Sequence, residues 1–330
     1  MNTEARHRIS GDALRNALEG VLGKPVKTLQ RRFCAYSSSY TLENIDVTLA
    51  RGQKLRLVLK DVSPPSVLTT AQQVRPRFLY NPARESEVYQ TLLNPARHGT
   101  AQCVGAVNSP HLEWHWIFLE RVDGFLLWQV GDLTQWDAAA RWLAAFHTEH
   151  AGRKRPRSQN LLKYDADFFA VWMERAEKFL NNLRVTNLKK FTRLASRYDR
   201  VVTRLAAMPT TLIHGEFYPS NVIVRPGAAA QTICAVDWEV AGIGPGELDL
   251  AALTAGQWSE SEKRRFVTAY HGALNSRDPG SVEELLEAVE LCQLHLSVQM
   301  LGWAEDWSPP DNHTQNWLGT ALRLADKLGI

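Results

Sequence analysis

The stretch Leu212 to Glu239, LIHGEFYPSNVIVRPGAAAQTICAVDWE, constrains this chain more than any other. Apolar runs at Leu212-Ile213 and Val222-Ile223-Val224 flank the polar cluster His214 to Asn221. A turn at Pro226-Gly227 follows, then a second β-like run, Thr232 to Val236, that ends in Asp237. The pattern predicts a small hairpin with polar and acidic groups at its mouth, held by strands on either side. In such a frame one carboxylate, Glu216, can orient a hydroxyl. Asn221 and Asp237 offer the oxygen donors that Mg²⁺ takes. Phosphoryl transfer from ATP needs that set of groups and little covalent chemistry besides.

His214-Gly215-Glu216 with Asn221, followed by Asp237-Trp238-Glu239, carries a resemblance. It resembles the H-G-D-x-x-x-x-N loop and the D-W-E or D-x-E segment of the aminoglycoside phosphotransferase and choline kinase-like family. One position departs, because the family's Asp is Glu216 here. The resemblance spans residues 26 to 255 and implies an α+β, two-lobe, protein-kinase-like fold. A small antiparallel β-rich lobe is expected over residues 1–122 and a larger, mainly helical lobe over residues 123–330. The implied reaction is ATP- and Mg-dependent transfer of a phosphoryl group to a hydroxyl of a small acceptor: an aminoglycoside, amino alcohol, sugar or natural product. Glu216 is then the catalytic residue, and Asn221 and Asp237 hold the metal.

The same resemblance assigns further residues. Lys60 ends the apolar run Leu55 to Leu59, where the family's third-strand lysine meets phosphates. Ala83 to Leu93 reads as a helix with Val88, Tyr89 and Leu92 inward, and it follows the family's R-E-x-x-V-Y-x-x-L pattern. That makes Glu85 the expected partner of Lys60, with Glu87 second. Ser38 and Ser39, within Ser37-Ser38-Ser39, stand where the family has a phosphate-covering turn often rich in glycine. Glu120 and Val122, in LERVDG, resemble the hinge at which backbone groups meet adenine. Val240 to Leu253 follows the family's A-x-x-G-x-x-x-x-D-L-A continuation, so Asp249 is expected to anchor the loop at Glu216. His147 matches a recurrent helix end and is read as a packing and hydrogen-bonding residue.

Elsewhere the periodicities are ordinary. Residues 10–23 predict an amphipathic helix capped by Ser10 or Asp12 and closed by Gly23. Thr28-Leu29, Phe33 to Tyr36, Tyr40 to Leu42 and Leu55 to Lys60 read as antiparallel strands, and residues 111–119 as another. Residues 63–84 form a long Pro-containing connection, expected to order when ligand binds. Helices are expected at 132–147, twice within 161–206, at 258–274, at 281–303 and at 311–328.

A net charge of +3 suits an anionic ligand such as a nucleotide without demanding nucleic acid. The basic run Arg153 to Arg157 has no reading element beside it, so no nucleic-acid partner is expected. No run reaches the ~20 apolar residues of a membrane span, and the polar start MNTEARHRISGD is no secretory signal. Four scattered cysteines, in no C-x-x-C pattern, suit reduced thiols and a cytoplasmic location. His111 and His115 lack a third ligand nearby in sequence and predict no zinc site. Two rival readings differ in class: a nucleotide-binding scaffold without turnover, suggested by Glu216, and a metal-dependent hydrolase using His214, Glu216 and Asp237. The first is excluded by any ATP turnover, and the second leaves Lys60 and Glu85 without purpose. Oligomeric state is not legible.

Overall fold

The structure is a computed structural model. It describes residues 9–34, 39–68, 72, 75–109, 113–151, 158–182, 188–227, 232–275, 280–303 and 316–330. The chain divides into two compact units, Met1–Asp123 and Gly124–Ile330.

The first unit is built on a five-stranded antiparallel sheet. Its strands are β1 (Val26–Phe33), β2 (Thr41–Leu49), β3 (Lys54–Asp61), β4 (Cys103–Ser109) and β5 (Trp114–Glu120), in the order β1-β2-β3-β5-β4. Strand β2 alternates buried and half-buried side chains along its whole length, as a sheet with one covered face requires. Helix α1 (Gly11–Leu22) supplies that cover. Ser10 Oγ accepts the Ala13 N–H at 3.2 Å, and Gly23 closes the helix at φ 62°. Leu14 and Leu18 are fully buried against Ile45, Val47, Leu57, Leu59, Trp116 and Phe118.

Two expectations for this unit change. Thr28-Leu29 and Phe33 lie on one strand, β1, which ends at Phe33, with Cys34 outside it; the expected continuation at Ala35 and Tyr36 lies outside the described residues. The polar Gln30-Arg31-Arg32 hid its continuity. Arg31 belongs in a strand because it meets the buried Glu43 of β2, with N···O distances of 2.9 and 2.6 Å. The helix at Ala83 to Leu93 is α-helical only over α2 (Arg84–Glu87) and continues as a π-turn, Val88–Leu92. In that wider turn Leu93 N–H bonds to Val88 O at 3.1 Å. The residue that turns inward one turn past Val88 is therefore Leu93, which is buried, while Leu92 is only half-buried.

The second unit is mainly helical. Helix α3 (Pro95–His98) still belongs to the first unit; α4 (Leu133–His150), α5 (Ala166–Asn182), α6 (Leu188–Ala195) and α7 (Tyr198–Ala206) open the second. Three helices thus stand where two were expected, because the chain breaks at Ser196-Arg197. There Ser196 Oγ donates to Arg193 O at 2.9 Å and competes with the helix for backbone partners. Helices α8 (Glu247–Leu253), α9 (Glu260–His271), α10 (Val282–Trp303) and α11 (Trp317–Lys327) follow. Helix α10 is buried on nearly every side from Val289 to Val298, so it is the core helix on which α5, α8 and α11 pack.

Two small sheets complete this unit. One has the order β10-β9-β6, with β6 at Phe125–Leu126, β9 at Val222–Val224 and β10 at Ile233–Ala235. The other has the order β7-β11-β8, with β7 at Leu162–Lys163, β8 at Thr210–Ile213 and β11 at Gly242–Pro245. The two apolar runs that flank His214 to Asn221 therefore lie in different sheets, and the polar segment bridges them. No helix among the described residues is long and apolar enough to cross a membrane.

Candidate active site

The segment from His214 to Asn221 is pinned at one end by a buried carboxylate. Asp249, fully buried in the first turns of α8, accepts the His214 N–H at 2.7 Å on Oδ2 and the Gly215 N–H at 2.8 Å on Oδ1. His147, near the end of α4, places Nε2 at 3.2 Å from Asp249 Oδ2. Its other nitrogen, Nδ1, lies 2.8 Å from the Tyr270 hydroxyl. Burial pushes the Tyr270 phenol well above its ordinary range. Because the Asp249 carboxylate can only accept at Nε2, Nδ1 is left as the acceptor and the Tyr270 hydroxyl donates to it. The imidazole then carries its own proton on Nε2 and donates to Asp249. This fixed tautomer, assigned from the network, gives one carboxylate three donors.

Glycine at 215 is required twice over. Its φ is +85°, and a Cβ there would lie 2.2 Å from the Tyr164 hydroxyl oxygen and 2.6 Å from Val240 O. Tyr164 itself donates to Val240 O at 2.8 Å, which ties the end of β7 to the residues just before β11 and fixes the two groups that crowd Gly215. Phe217 is fully buried and stacks on Trp142 at 5.4 Å, so the segment has an apolar anchor as well. His214 Nε2 bonds to Val236 O at 2.9 Å, and the Trp238 ring packs on the imidazole at 4.5 Å.

These anchors bring three of the expected residues together. Asn221 Nδ2 donates to Glu216 O at 3.0 Å, and Val236 N–H donates to Asn221 O at 2.9 Å, immediately before Asp237. Asp237 sits at φ 69°, a left-handed conformation that non-glycine residues adopt rarely and Asp more readily than most. Such a backbone persists where its surroundings over-determine it, and functional sites collect these residues. Burial pushes the Tyr218 phenol up, aided by the Glu216 and Asp249 charges, so Tyr218 stays protonated beside the acidic group.

In the first unit Lys60, near the end of β3, meets Glu85 of α2 with Nζ 2.6 Å from Oε2. Both side chains are almost fully buried, and the Tyr40 ring lies 5.5 Å from the ammonium. A buried pair is weak evidence for stability, since desolvation offsets much of the attraction. It is a sound way to hold an ammonium at one place.

Ser38 lies outside the described residues. Ser39 is a bend whose carbonyl accepts the Leu68 N–H at 3.0 Å. Glu120 ends β5 and is engaged locally: its N–H bonds to Gln102 O at 2.8 Å, and its Oε2 accepts the Gln102 N–H at 3.1 Å. Val122 is half-buried between two tethered neighbours. Arg121 bonds Asp46 at 2.5 Å, which holds that carboxyl below its usual range, and Asp123 is bidentate to Arg56 at 2.7 Å. The four cysteines, all described, form no disulfide. Sequence reasoning missed Tyr164 and Tyr270. Neither stands in a motif, and only the fold brings them to Gly215 and His147.

The chain matches the phosphotransferase enzyme family over residues 35–285. It belongs to that family. No curated protein matches this member by sequence. Among solved structures, a microcompartment-associated aminopropanol kinase is similar to it at 15% identity and a TM-score of 0.63, covering 96% of this chain and 94% of that one. A spectinomycin phosphotransferase in complex with ADP and spectinomycin gives 14% and 0.58, covering 97% and 95%. An aminoglycoside 2′-phosphotransferase in complex with GDP gives 14% and 0.60, covering 97% and 98%. At such identities the likeness is one of fold, and the family member has the two-lobe, protein-kinase-like α+β fold.

Proposed function

We propose that this phosphotransferase moves the γ-phosphoryl group of ATP to a hydroxyl of a small-molecule acceptor. The observation that carries the reading is the tethering of Glu216, Asn221 and Asp237 through Asn221, with Asp249 clamping the start of the same segment. Evolution of a mere turn needs no buried carboxylate with three donors. Phosphoryl transfer, where positioning and electrostatics carry the rate, does need rigid placement.

Glu216 accepts the proton of the acceptor hydroxyl. The acceptor oxygen then bonds to the γ-phosphorus, the bond from that phosphorus to the bridging oxygen breaks, and ADP departs with the electron pair. Lys60, fixed by Glu85, places a positive point charge on the α- and β-phosphates. By the family resemblance, Ser38 and Ser39 would supply donors to the phosphates, and the backbone at Glu120 and Val122 would meet the adenine. The residues also suit a magnesium ion. Asn221 spends its Nδ2 on Glu216 O, which turns Oδ1, a hard oxygen donor, to the other side of the amide. With the Asp237 carboxylate this is the oxygen set Mg²⁺ takes, and the bound ion would neutralise phosphate charge. ADP and GDP occupy two of the similar structures, which favours a nucleotide as donor here.

The test is an acceptor screen read by ADP release, run beside Glu216→Gln. Turnover should fall roughly 10²-fold or more, with ATP affinity nearly unchanged, because the carboxylate serves the acceptor proton. Equal turnover with Gln removes Glu216 as the base. Tight ATP binding with no turnover in either protein makes the chain a nucleotide-binding scaffold.

A further inference from the structure

A small half-open pocket lies among α9, α10, α11 and the residues after α8. Its chemistry is one-sided. Lys263 of α9 and Arg323 of α11 line it, and among the described residues no carboxylate does. Trp317, Thr320 and Arg323 are three apart, so they form one stripe along α11. The next cation on that helix, Lys327, is paired with Glu290 and lies 3.9 Å from Glu260. Lys263 and Arg323 make no ion pair with any described residue. Two cations thus line one concavity without an ion pair among the described residues.

The floor of the pocket has the opposite character. Gln293 is only 8% exposed, and its Nε2 is committed to Thr254, at 3.0 Å from Oγ1 and 3.2 Å from the carbonyl. The amide atom left for the pocket is Oε1, an acceptor that takes no hydrogen bond from the described residues. Ser297, 1% exposed, donates its proton to Gln293 O at 2.8 Å and so presents lone pairs as well. An anion at Lys263 and Arg323 meets acceptors beneath it. An anion that carries a hydroxyl satisfies both surfaces, whereas a bare oxyanion set on Gln293 Oε1 would put oxygen against oxygen.

We propose that this pocket is a binding site for a protonated oxyanion of the phosphate class, either free hydrogenphosphate or a phosphomonoester. Lys263 and Arg323 take the charged oxygens in charge-assisted bonds, and Gln293 Oε1 accepts the P–O–H proton. None of its residues belongs to the segment at Glu216, to Asp237 or to the Lys60–Glu85 pair. The inference therefore does not rest on the proposed reaction.

The test is isothermal titration of the full chain with sodium phosphate and, at matched ionic strength, with sodium sulfate, which has no proton to give. Both runs are made with ADP at saturation, so that phosphate taken up by a nucleotide site is not counted. Phosphate should bind at one site, at least about tenfold more tightly than sulfate, as loss of one charged hydrogen bond or one opposed oxygen pair predicts. Lys263→Ala and Arg323→Ala should each weaken phosphate about tenfold or more, leaving ADP affinity and the helical circular dichroism unchanged. Equal binding of the two anions, or phosphate binding untouched in both variants, overturns the proposal. A second titration with glycerol 3-phosphate separates the sources: competition with phosphate shows that esters enter, and its absence limits the site to the free ion. If ADP does not bind at all, the reading of the nucleotide site fails while the phosphate and sulfate titrations still decide this one.

Discussion

Asp249→Asn isolates the anchor of the segment at Glu216. The carboxylate gives Oδ2 to His214 N–H and His147 Nε2, and Oδ1 to Gly215 N–H, and it is fully buried. An amide keeps one acceptor oxygen and turns an NH₂ group toward a donor, whichever way it flips. At least one charge-assisted bond of about 1.5–3 kcal/mol is lost, and a buried N–H left facing a donor adds about 1–3 kcal/mol. Removing a buried charge returns part of this, so the net loss should be about 2–4 kcal/mol. Urea unfolding at pH 7 measures it as a lower midpoint with an unchanged slope. Turnover, assayed where the variant is still folded, should fall roughly 10²-fold, because a segment freed by ~1 Å no longer places Glu216. A variant within about 0.5 kcal/mol of the parent that turns over normally would refute the anchoring argument.

Lys60→Met leaves the Glu85 carboxylate buried without its ammonium and should cost about 3–5 kcal/mol in urea unfolding; adding Glu85→Leu should restore most of that stability but not nucleotide affinity. A single variant as stable as the parent would show that water reaches the pair. Gly215→Ala should abolish turnover, and adding Tyr164→Phe should not rescue it, since Val240 O still stands 2.6 Å from the new Cβ; rescue would mean the phenol alone sets the requirement. His295 is buried between Phe169 and the Tyr198 hydroxyl, and burial lowers its pKa from 6.5 to about 3. The unfolded chain therefore takes up a proton between those values that the folded chain refuses. Stability should be full above pH 6.5 and fall as pH drops toward 3, and His295→Gln should flatten that slope in pH-dependent unfolding midpoints. An identical slope in the variant would assign the acid sensitivity to other groups.

The parts of the site that were legible in sequence are those whose residues stand at fixed chain offsets. Glu216, Asn221 and Asp237 hang on one short polar segment and one hairpin, so their order alone suggested their meeting. Asp249 was legible only through the resemblance, as part of the continuation Val240 to Leu253. Lys60 and Glu85 needed the resemblance as well, because nothing local says that a strand end faces a helix start. The rest depended on contacts that no window holds. Tyr164 and Tyr270 look like ordinary half-apolar residues until β11 and α9 bring them in. The π-turn was invisible because its pattern of apolar residues also fits an α-helix, and one residue decides between them. β1 was broken in the reading by Arg31 and Arg32, whose partners sit across the sheet.

The anchors of the segment at Glu216 also carry a consequence for how the protein is made. His147 and Asp249 are 102 residues apart in the chain, His147 and Tyr270 are 123, and Tyr164 and Val240 are 76. The first two strands of the N-terminal unit, by contrast, pair with their immediate successors. Contacts between distant residues close the largest loops and are the slowest to form. During synthesis the chain must pass Tyr270 before the His147 imidazole has both of its partners, so a nascent chain holds folded strands well before it holds a site. A partly matured molecule therefore holds its first strands before the segment at Glu216 is anchored.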